Sequence, residues 1–243
     1  MHYFFTDSQN IGETTIQISG EDLRHLQVIR LKKGEKIMIA DSEKRKNHLC
    51  ELISLGRDEA LFRIVKTSEN GSEPSIEVTL FQGMPKMDKM EWIVQKATEL
   101  GVLSVVPVLM ERTVKMPQSF AKQKERLEKI ARASAMQSKR GHIPNVGEMV
   151  SFVFAVQETK KFDAAFMLYE EEQTLTMKQY LTTVHSCKKI AFFVGPEGGC
   201  SEKEVKIAKQ EGVALVGLGK RILRTETAPL CALSILMYET ENM

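Results

Sequence analysis

The sequence predicts two domains of different class: a small β-barrel at residues 1–72, followed by an α/β domain with a mainly parallel sheet at residues 73–243. Three observations support this. The 243 residues are 42% hydrophobic and 27% charged, as in ordinary globular proteins of one or two domains. Strand-like runs fill the first part, and strands alternate with helical spacing in the rest. Between them, residues 68–75 (SENGSEPS) are polar and without periodicity, which is typical of a linker.

The first domain is predicted from short runs that are β-branched or alternate in hydrophobicity and are separated by turn residues: TTIQIS, EKIMIAD, KNHLCELISL and EALFRIVKT. One helix, at about residues 21–29, interrupts them. Its spacing places Arg24 and His25 on the polar side of that helix.

In the second domain, strands are expected at 77–82, 104–109, 163–169, 189–194 and 213–218. A helix over 88–100 ends at Gly101, and a long basic helix runs from 119 to about 140. Ser201 and Glu204 form an S-x-x-E capping box, which opens a helix that stops at Gly212.

Several classes of protein are excluded by the composition. The longest apolar runs are far shorter than the roughly 18 residues that a membrane span requires, and the first residues, MHYFFTDSQN, do not resemble a secretory signal. The four cysteines form no C-x-x-C pair and the histidines no H-x-x-x-H pair. We therefore expect a cytoplasmic protein without a metal site.

Glycine loops follow two of the predicted strands, and the first, at residues 195–199, reads GPEGG. In open α/β sheets, ligands bind at the carboxyl ends of strands, where glycines let a ligand approach the backbone. Neither loop matches a Walker motif or the G-x-G-x-x-G dinucleotide fingerprint, because Leu218 stands where a Walker motif requires Lys. The plainer alternative is that these glycines only form tight turns.

Basic residues cluster near the start of the chain, where Arg24, Arg30, Lys32, Lys33 and Lys36 lie close together. Such a cluster suits a phosphate backbone, although a solvated lysine-rich surface has the same composition.

Two motifs, GPEGGxSxxE and LGxRILRxETA, resemble the carboxyl-terminal signature of the ribosomal RNA small-subunit methyltransferase E family, within the SPOUT superfamily. The blocks RHLQVIRLKKGE, KMDKMEWIVQKATELGV, PVLMERTV and KIARASAMQSKRGHIPNV resemble the other motifs of that family, in the expected order. The chain departs from the pattern at Cys200, where a bulky apolar residue is usual, and at Ala133 and Met136, where acidic residues are usual.

The resemblance implies a PUA-like RNA-binding barrel and a SPOUT domain tied in a deep trefoil knot, which topology rules alone would not predict. It also implies a homodimer that uses S-adenosylmethionine to methylate N3 of a uridine in 16S ribosomal RNA of the small subunit. Two alternatives stay open: a catalytically inactive RNA- or ribosome-binding protein of the same fold, and a methyltransferase acting on transfer RNA.

The resemblance also implies site residues. Arg224 would hold the uracil or a phosphate, and Glu197 and Glu226 are candidate bases, although Glu226 could instead stabilise the first turn of the last helix. Replacing Gly198 with valine is expected to abolish cofactor binding with the fold largely intact. Residues expected to contact the cofactor are Leu168, Tyr169, Glu170, Gly195, Pro196, Glu197, Gly198, Gly199, Leu218, Gly219, Ile222 and Leu223. Residues expected to contact RNA are Arg24, Arg30, Lys32, Lys33, Arg112 and Arg140.

Overall fold

The computed structural model describes residues 1–114 and 119–243, which form two compact units. Unit 1 comprises Met1–Glu73 together with Ala135–Ile143, and unit 2 comprises Pro74–Ser134 and Pro144–Met243. The chain therefore enters unit 1 twice.

Unit 1 is built on a five-stranded sheet in the order β1-β3-β4-β5-β2. Its strands are β1 (Tyr3–Thr6), β2 (Thr15–Ile18), β3 (Lys36–Asp41), β4 (Lys46–Leu55) and β5 (Ala60–Glu69). β1 pairs with β3 in parallel, whereas the other pairs are antiparallel. The prediction of a β-rich amino-terminal unit is therefore confirmed, although β5 extends into the segment read as a linker.

One helix, α1 (Gly20–Val28), packs on this sheet and confirms the predicted helix to within one residue at each end. Its apolar positions Leu23 and Leu26 are buried in the core of unit 1. Arg24 and His25 are exposed on the opposite side, as the spacing predicts.

The segment Ala135–Ile143 is held in unit 1 by a buried ion pair. The Arg140 guanidinium lies 2.6 Å from a Glu73 carboxylate oxygen, and the two side chains are 4% and 9% exposed. Glu73 also accepts hydrogen bonds from the backbone N–H groups of Gly141 and His142. Gly141 is required here because a Cβ would lie 2.5 Å from the Asn70 side chain.

Unit 2 contains a parallel sheet in the order β12-β10-β11-β6-β7-β8, with β9 also paired to β7. Its strands are β6 (Glu77–Gly83), β7 (Ser104–Leu109), β8 (Asn145–Val146), β9 (Val150–Ser151), β10 (Ala164–Leu168), β11 (Lys189–Val194) and β12 (Ala214–Val216). The predicted parallel sheet is confirmed. The last strand was predicted at 213–218, but β12 ends at Val216. The next residue, Gly217, donates its backbone N–H to the carbonyl of Leu175 and not to a neighbouring named strand.

The remaining helices are α2 (Met87–Glu99), α3 (Ala121–Ser138), α4 (Phe152–Glu158), α5 (Met177–Leu181), α6 (Glu202–Gln210) and α7 (Ala228–Glu239). α3 is shorter than predicted and is followed by Lys139 at a φ of 60°, where a helix cannot continue. Gly101 and Gly212 follow α2 and α6 with positive φ, as predicted. No helix among the described residues is long and apolar enough to cross a membrane.

The sheet of unit 2 is apolar through its centre. Phe81 of β6 stacks on Phe193 of β11 with ring centroids 4.7 Å apart, and Phe166 of β10 stacks on Phe192 at 5.3 Å. Because the strands are parallel, the loops that follow β10, β11 and β12 emerge at one edge of the sheet.

Candidate active site

A cavity of about 430 Å³ lies at this edge, within the range of small-molecule sites in proteins. The loops that follow β10, β11 and β12 form its walls, and every residue predicted to contact a cofactor lines it. Arg224 lines it as well. The lining is completed by Lys89, Val194, Val216, Arg221, Thr225 and Ala228. Arg221 lies within the cofactor loop expected at 218–223, and the other five were not predicted.

The loop at 195–199 is followed directly by the capping box that opens α6. The Ser201 hydroxyl accepts from the Glu204 N–H, and the Glu204 carboxylate accepts from the Ser201 N–H at 2.8 Å, as the motif predicts. The same two side chains also bind Glu111: Ser201 donates to its carboxylate, and Glu204 accepts from its backbone N–H, both at 2.8 Å. The box therefore fixes the residues after β7 as well as the start of α6.

Glycine is required within this loop for close packing. Gly199 has a φ of 70°, a conformation that other residues rarely adopt. A Cβ on Gly198 would lie 2.8 Å from the Arg112 Cβ and 2.9 Å from the Arg112 carbonyl oxygen. The Arg112 guanidinium also donates a hydrogen bond to the Gly198 carbonyl at 3.2 Å.

Both candidate bases contact a single lysine. The Lys89 ammonium lies 3.4 Å from Glu197 Oε1 and 3.1 Å from Glu226 Oε2, and all three side chains are 21% exposed. Glu197 Oε1 also accepts from the Lys86 backbone N–H at 3.1 Å. Burial opposes ionisation of Glu197, but hydrogen bonds from backbone N–H groups and the Lys89 charge outweigh it and hold the pKa of Glu197 below its ordinary value.

A second link joins the two glycine-rich segments. The buried Thr225 hydroxyl donates to the Gly195 carbonyl at 2.7 Å and accepts from the Gln82 amide at 3.1 Å. Gln82 is fully buried at the end of β6. The end of β6 and the start of α2 therefore anchor both walls of the cavity, and nothing in the local pattern around Gln82 or Lys89 indicates this.

Arg224 is exposed at the start of α7, and its carbonyl accepts from the N–H groups of Thr227 and Ala228. The side chain is thus attached to a fixed turn at the cavity. No group of His, Cys, Asp or Glu side chains in the part of the chain that the structure describes has the arrangement of a metal site.

The residues predicted to contact RNA lie in different settings. Arg24, Arg30, Lys32 and Lys33 are exposed in unit 1, and Arg112 is exposed in unit 2. The prediction for Arg140 is wrong, because its side chain is 4% exposed and is bound to Glu73. A buried guanidinium serves the interior of unit 1 and is not available to a phosphate.

Comparison with known proteins matches this chain to two family models. Residues 72–237 match an RNA methyltransferase domain, and residues 18–65 match the PUA domain of RNA methyltransferases.

Relatives match the chain over nearly its full length. A Ribosomal RNA small subunit methyltransferase E of Bacillus subtilis is 38% identical over 242 residues, which cover 96% of this chain and 94% of the relative. A crystal structure of the protein of that name from Neisseria gonorrhoeae, bound to S-adenosyl methionine, superimposes with a TM-score of 0.88 at 31% identity, covering 98% of this chain and 97% of the other. A putative methyltransferase of Legionella pneumophila, in complex with the same cofactor, gives a TM-score of 0.86 at 26% identity, with 97% and 96% covered.

Proposed function

This chain belongs to the ribosomal RNA small subunit methyltransferase E family, and we propose that it transfers the methyl group of S-adenosylmethionine to N3 of a uridine in 16S ribosomal RNA. The observation that carries the proposal is the cavity at the sheet edge. Its walls come from the loops after three parallel strands, and Glu197 and Arg224 line it. Glu226 is not one of the lining residues, but its carboxylate lies 3.1 Å from the ammonium of Lys89, which is. A cytoplasmic location follows from the proposed substrate.

The cavity fits this cofactor. Its walls combine bare backbone at the glycines with apolar side chains, which suits a neutral base and a ribose. Gly219 has a φ of 111° and open space where a Cβ would be, so a ligand can approach the backbone there. Ile222 lines the cavity although it is 83% exposed, and a ligand would cover its apolar surface. Residues 168–170, 195–199 and 218–223 would hold the cofactor, which supplies a methyl group on a positively charged sulfur.

The chain's own contribution to the chemistry is alignment and removal of the uracil N3 proton. A positioned base contributes about 10²- to 10⁴-fold in rate. Of the two candidates, Glu197 carries more contacts: its Oε1 accepts from the Lys86 N–H and lies near the Lys89 ammonium, whereas the described contact of Glu226 is with Lys89. We therefore favour Glu226 as the base, with Arg224 holding the uracil or an adjacent phosphate.

We assign RNA binding to Arg24, Arg30, Lys32 and Lys33 of unit 1 and to Arg112 of unit 2. The exposure of these side chains and the match of residues 18–65 to a PUA domain support the assignment. The division into an RNA-binding barrel at 1–72 and a catalytic domain at 73–243 is part of the same proposal, with residues 135–143 of the second segment belonging to unit 1. An assembled small subunit as the substrate is also part of it.

We further propose a deep trefoil knot in the carboxyl-terminal part and a homodimer formed through α7. The helix buries Leu233, Leu236 and Met237, and it leaves Ile235 partly exposed and Tyr238 71% exposed. Light scattering at micromolar concentration should report a dimer, and a monomer would contradict this assignment.

Nucleoside mass spectrometry of 16S ribosomal RNA, from cells with and without this protein, tests the function. One 3-methyluridine should be absent from the 16S ribosomal RNA of cells that lack this protein. It should return when purified protein and S-adenosylmethionine are added to small subunits from those cells. A lost modification in transfer RNA would instead indicate the other substrate. Unchanged RNA in both pools would indicate a binding protein without catalysis.

A further inference from the structure

Lys89 lies in the first turn of α2 and contacts two loops that are more than twenty residues apart in the chain. Glu197 belongs to the loop that follows β11, whereas Glu226 precedes α7. The Lys89 ammonium reaches a carboxylate oxygen of each, at 3.4 Å and 3.1 Å. One side chain therefore joins the loop after β11, which lines the cavity, to the segment that precedes α7.

The charges explain why a cation is needed at this position. Two ionised carboxylates held close together repel each other, and partial burial strengthens the repulsion. The Lys89 ammonium compensates both. Burial disfavours its charged form, but hydrogen bonds and charge from Glu226 and Glu197 outweigh this and raise the pKa of Lys89 above its ordinary value. Lys89 thus stays protonated at neutral pH and can act through its charge, not by exchanging a proton.

The other charged or titratable groups that line the cavity are Tyr169, Glu170, Arg221 and Arg224. Lys86 and Asp88 lie beside Lys89 on its own segment, and Lys86 contributes its backbone N–H to Glu197. Of the groups described above, the Lys89 ammonium is the one that contacts both Glu197 and Glu226.

We propose that Lys89 is a positioning residue for methyl transfer, which orients Glu226 as the base and fastens the Glu197 loop to α2. The proposal rests on the proposed function, because the base matters only if a proton is removed from the acceptor.

The test compares Lys89→Met and Lys89→Arg with a matched control, Lys96→Met. Lys96 lies on the same helix, pairs with Glu99 at 2.8 Å and is absent from the cavity lining. Single-turnover rates on deficient small subunits, with S-adenosylmethionine saturating, are measured. Lys89→Met should lower the rate at pH 7 by about 10- to 100-fold. Lys89→Arg should restore most of the rate, and Lys96→Met should behave as wild type.

Hydrogen exchange in the protein without cofactor or RNA gives a second readout. Lys89→Met should speed exchange about 2- to 5-fold in peptides from both loops, 195–199 and 224–228, as expected for loss of a partly exposed ion pair. Lys96→Met should leave both loops unchanged. A Lys89→Met rate equal to that of wild type, a rate that Lys89→Arg does not restore, or unchanged exchange in either loop overturns the proposal. If wild-type protein methylates no RNA, the proposed function fails, and the role of Lys89 in positioning a base fails with it. Faster exchange in both loops would then show only that Lys89 fastens them.

Discussion

Gly198 has Arg112 directly against it, so a substitution there changes more than the cavity. Its missing Cβ would lie 2.9 Å from the Arg112 carbonyl oxygen, which belongs to the segment after β7. Gly198→Val would therefore have to displace that segment as well, so a loss of binding in this variant would not isolate the effect on the cavity. Ile222 is a better probe, because it lines the cavity and is 83% exposed.

Ile222→Asn should weaken binding of S-adenosylhomocysteine about 10-fold, because an apolar contact of roughly 1–2 kcal/mol is lost. Val28→Asn is the control, since Val28 is 77% exposed in unit 1. Titration calorimetry without added metal measures both affinities. Equal affinities for wild type and Ile222→Asn would contradict the placement of the cofactor in this cavity.

Glu73 is the other side chain with a clear energetic consequence. Glu73→Gln should destabilise the protein by about 3–5 kcal/mol at pH 7, because the buried Arg140 loses its partner charge. Burial opposes the charge of Glu73, but Arg140 and the backbone N–H of Gly141 hold the pKa of Glu73 below its ordinary value. Its contribution is thus complete above the unfolded value of about 4.3 and is lost as pH falls through the lower folded value.

Urea unfolding followed by circular dichroism should therefore show a constant gap between wild type and Glu73→Gln near neutral pH, which narrows below about pH 4. Glu69→Gln is the control, because Glu69 is 79% exposed and lies 4.0 Å from Lys46. A gap that widened on acidification would contradict the assignment.

Among the helices, α6 shows how a short motif can organise distant chain. Its capping box binds Glu111 through both Ser201 and Glu204, so the first turn of the helix also holds the segment against which Gly198 packs. α5 has a capping box too, formed by Thr176 and Gln179. The side chains of the α6 box also bind Glu111. Removing each cap in turn therefore separates the effect of the cap on stability from its effect on cofactor binding.

Ser201→Ala should cost about 1–2 kcal/mol of stability, because the cap is lost. It should also weaken binding of S-adenosylhomocysteine, because the Ser201 hydroxyl no longer holds Glu111, whose neighbour Arg112 packs against Gly198 of the glycine loop. Thr176→Ala should cost a similar stability through its cap alone and leave the affinity unchanged. Calorimetry and urea unfolding on both variants check this. Equal affinities would show that the cap does not support the loop.

These elements also show which features of the fold and the site can be predicted from the sequence. The strand runs, the position of α1, the caps of α2 and α6, and the clustering of the glycine loops follow from periodicity, from capping motifs and from the rule that parallel strands end at one edge. Lys89 and Gln82 were missed because their contacts join residues far apart in the chain, which local patterns do not encode. Arg140 was misread for the same reason, since its partner Glu73 lies 67 residues away.

The molecule as a whole carries a formal net charge of only +2, so its attraction to RNA must come from local groups. Under the proposed function, the exposed cations of unit 1 supply affinity, and Arg224 of unit 2 acts in the chemical step. These two kinds of cation should respond differently to substitution.

Replacing Lys32 or Lys33 with alanine should weaken binding to ribosomal RNA and reduce the slope of log affinity against log salt by about 1, with turnover at saturating RNA preserved. Arg224→Ala should lower the rate of methyl transfer with both substrates saturating. Lys160→Ala, at a position in unit 2 paired with Glu211, is the control for loss of a surface charge. Filter binding at several salt concentrations and single-turnover kinetics separate the two classes, and a full rate in Arg224→Ala would contradict its role.

The return of the chain to unit 1 affects how the protein is made on the ribosome. Glu73 is synthesised about 70 residues before the segment that supplies Arg140. At about 5–20 residues per second, several seconds pass before the partner emerges from the exit tunnel. During that interval the nascent amino-terminal unit has a carboxylate without its cation and the Tyr3 hydroxyl without the Arg140 carbonyl. A fragment that stops at residue 73 lacks these partners permanently, so a stable amino-terminal fragment must also include residues 135–143.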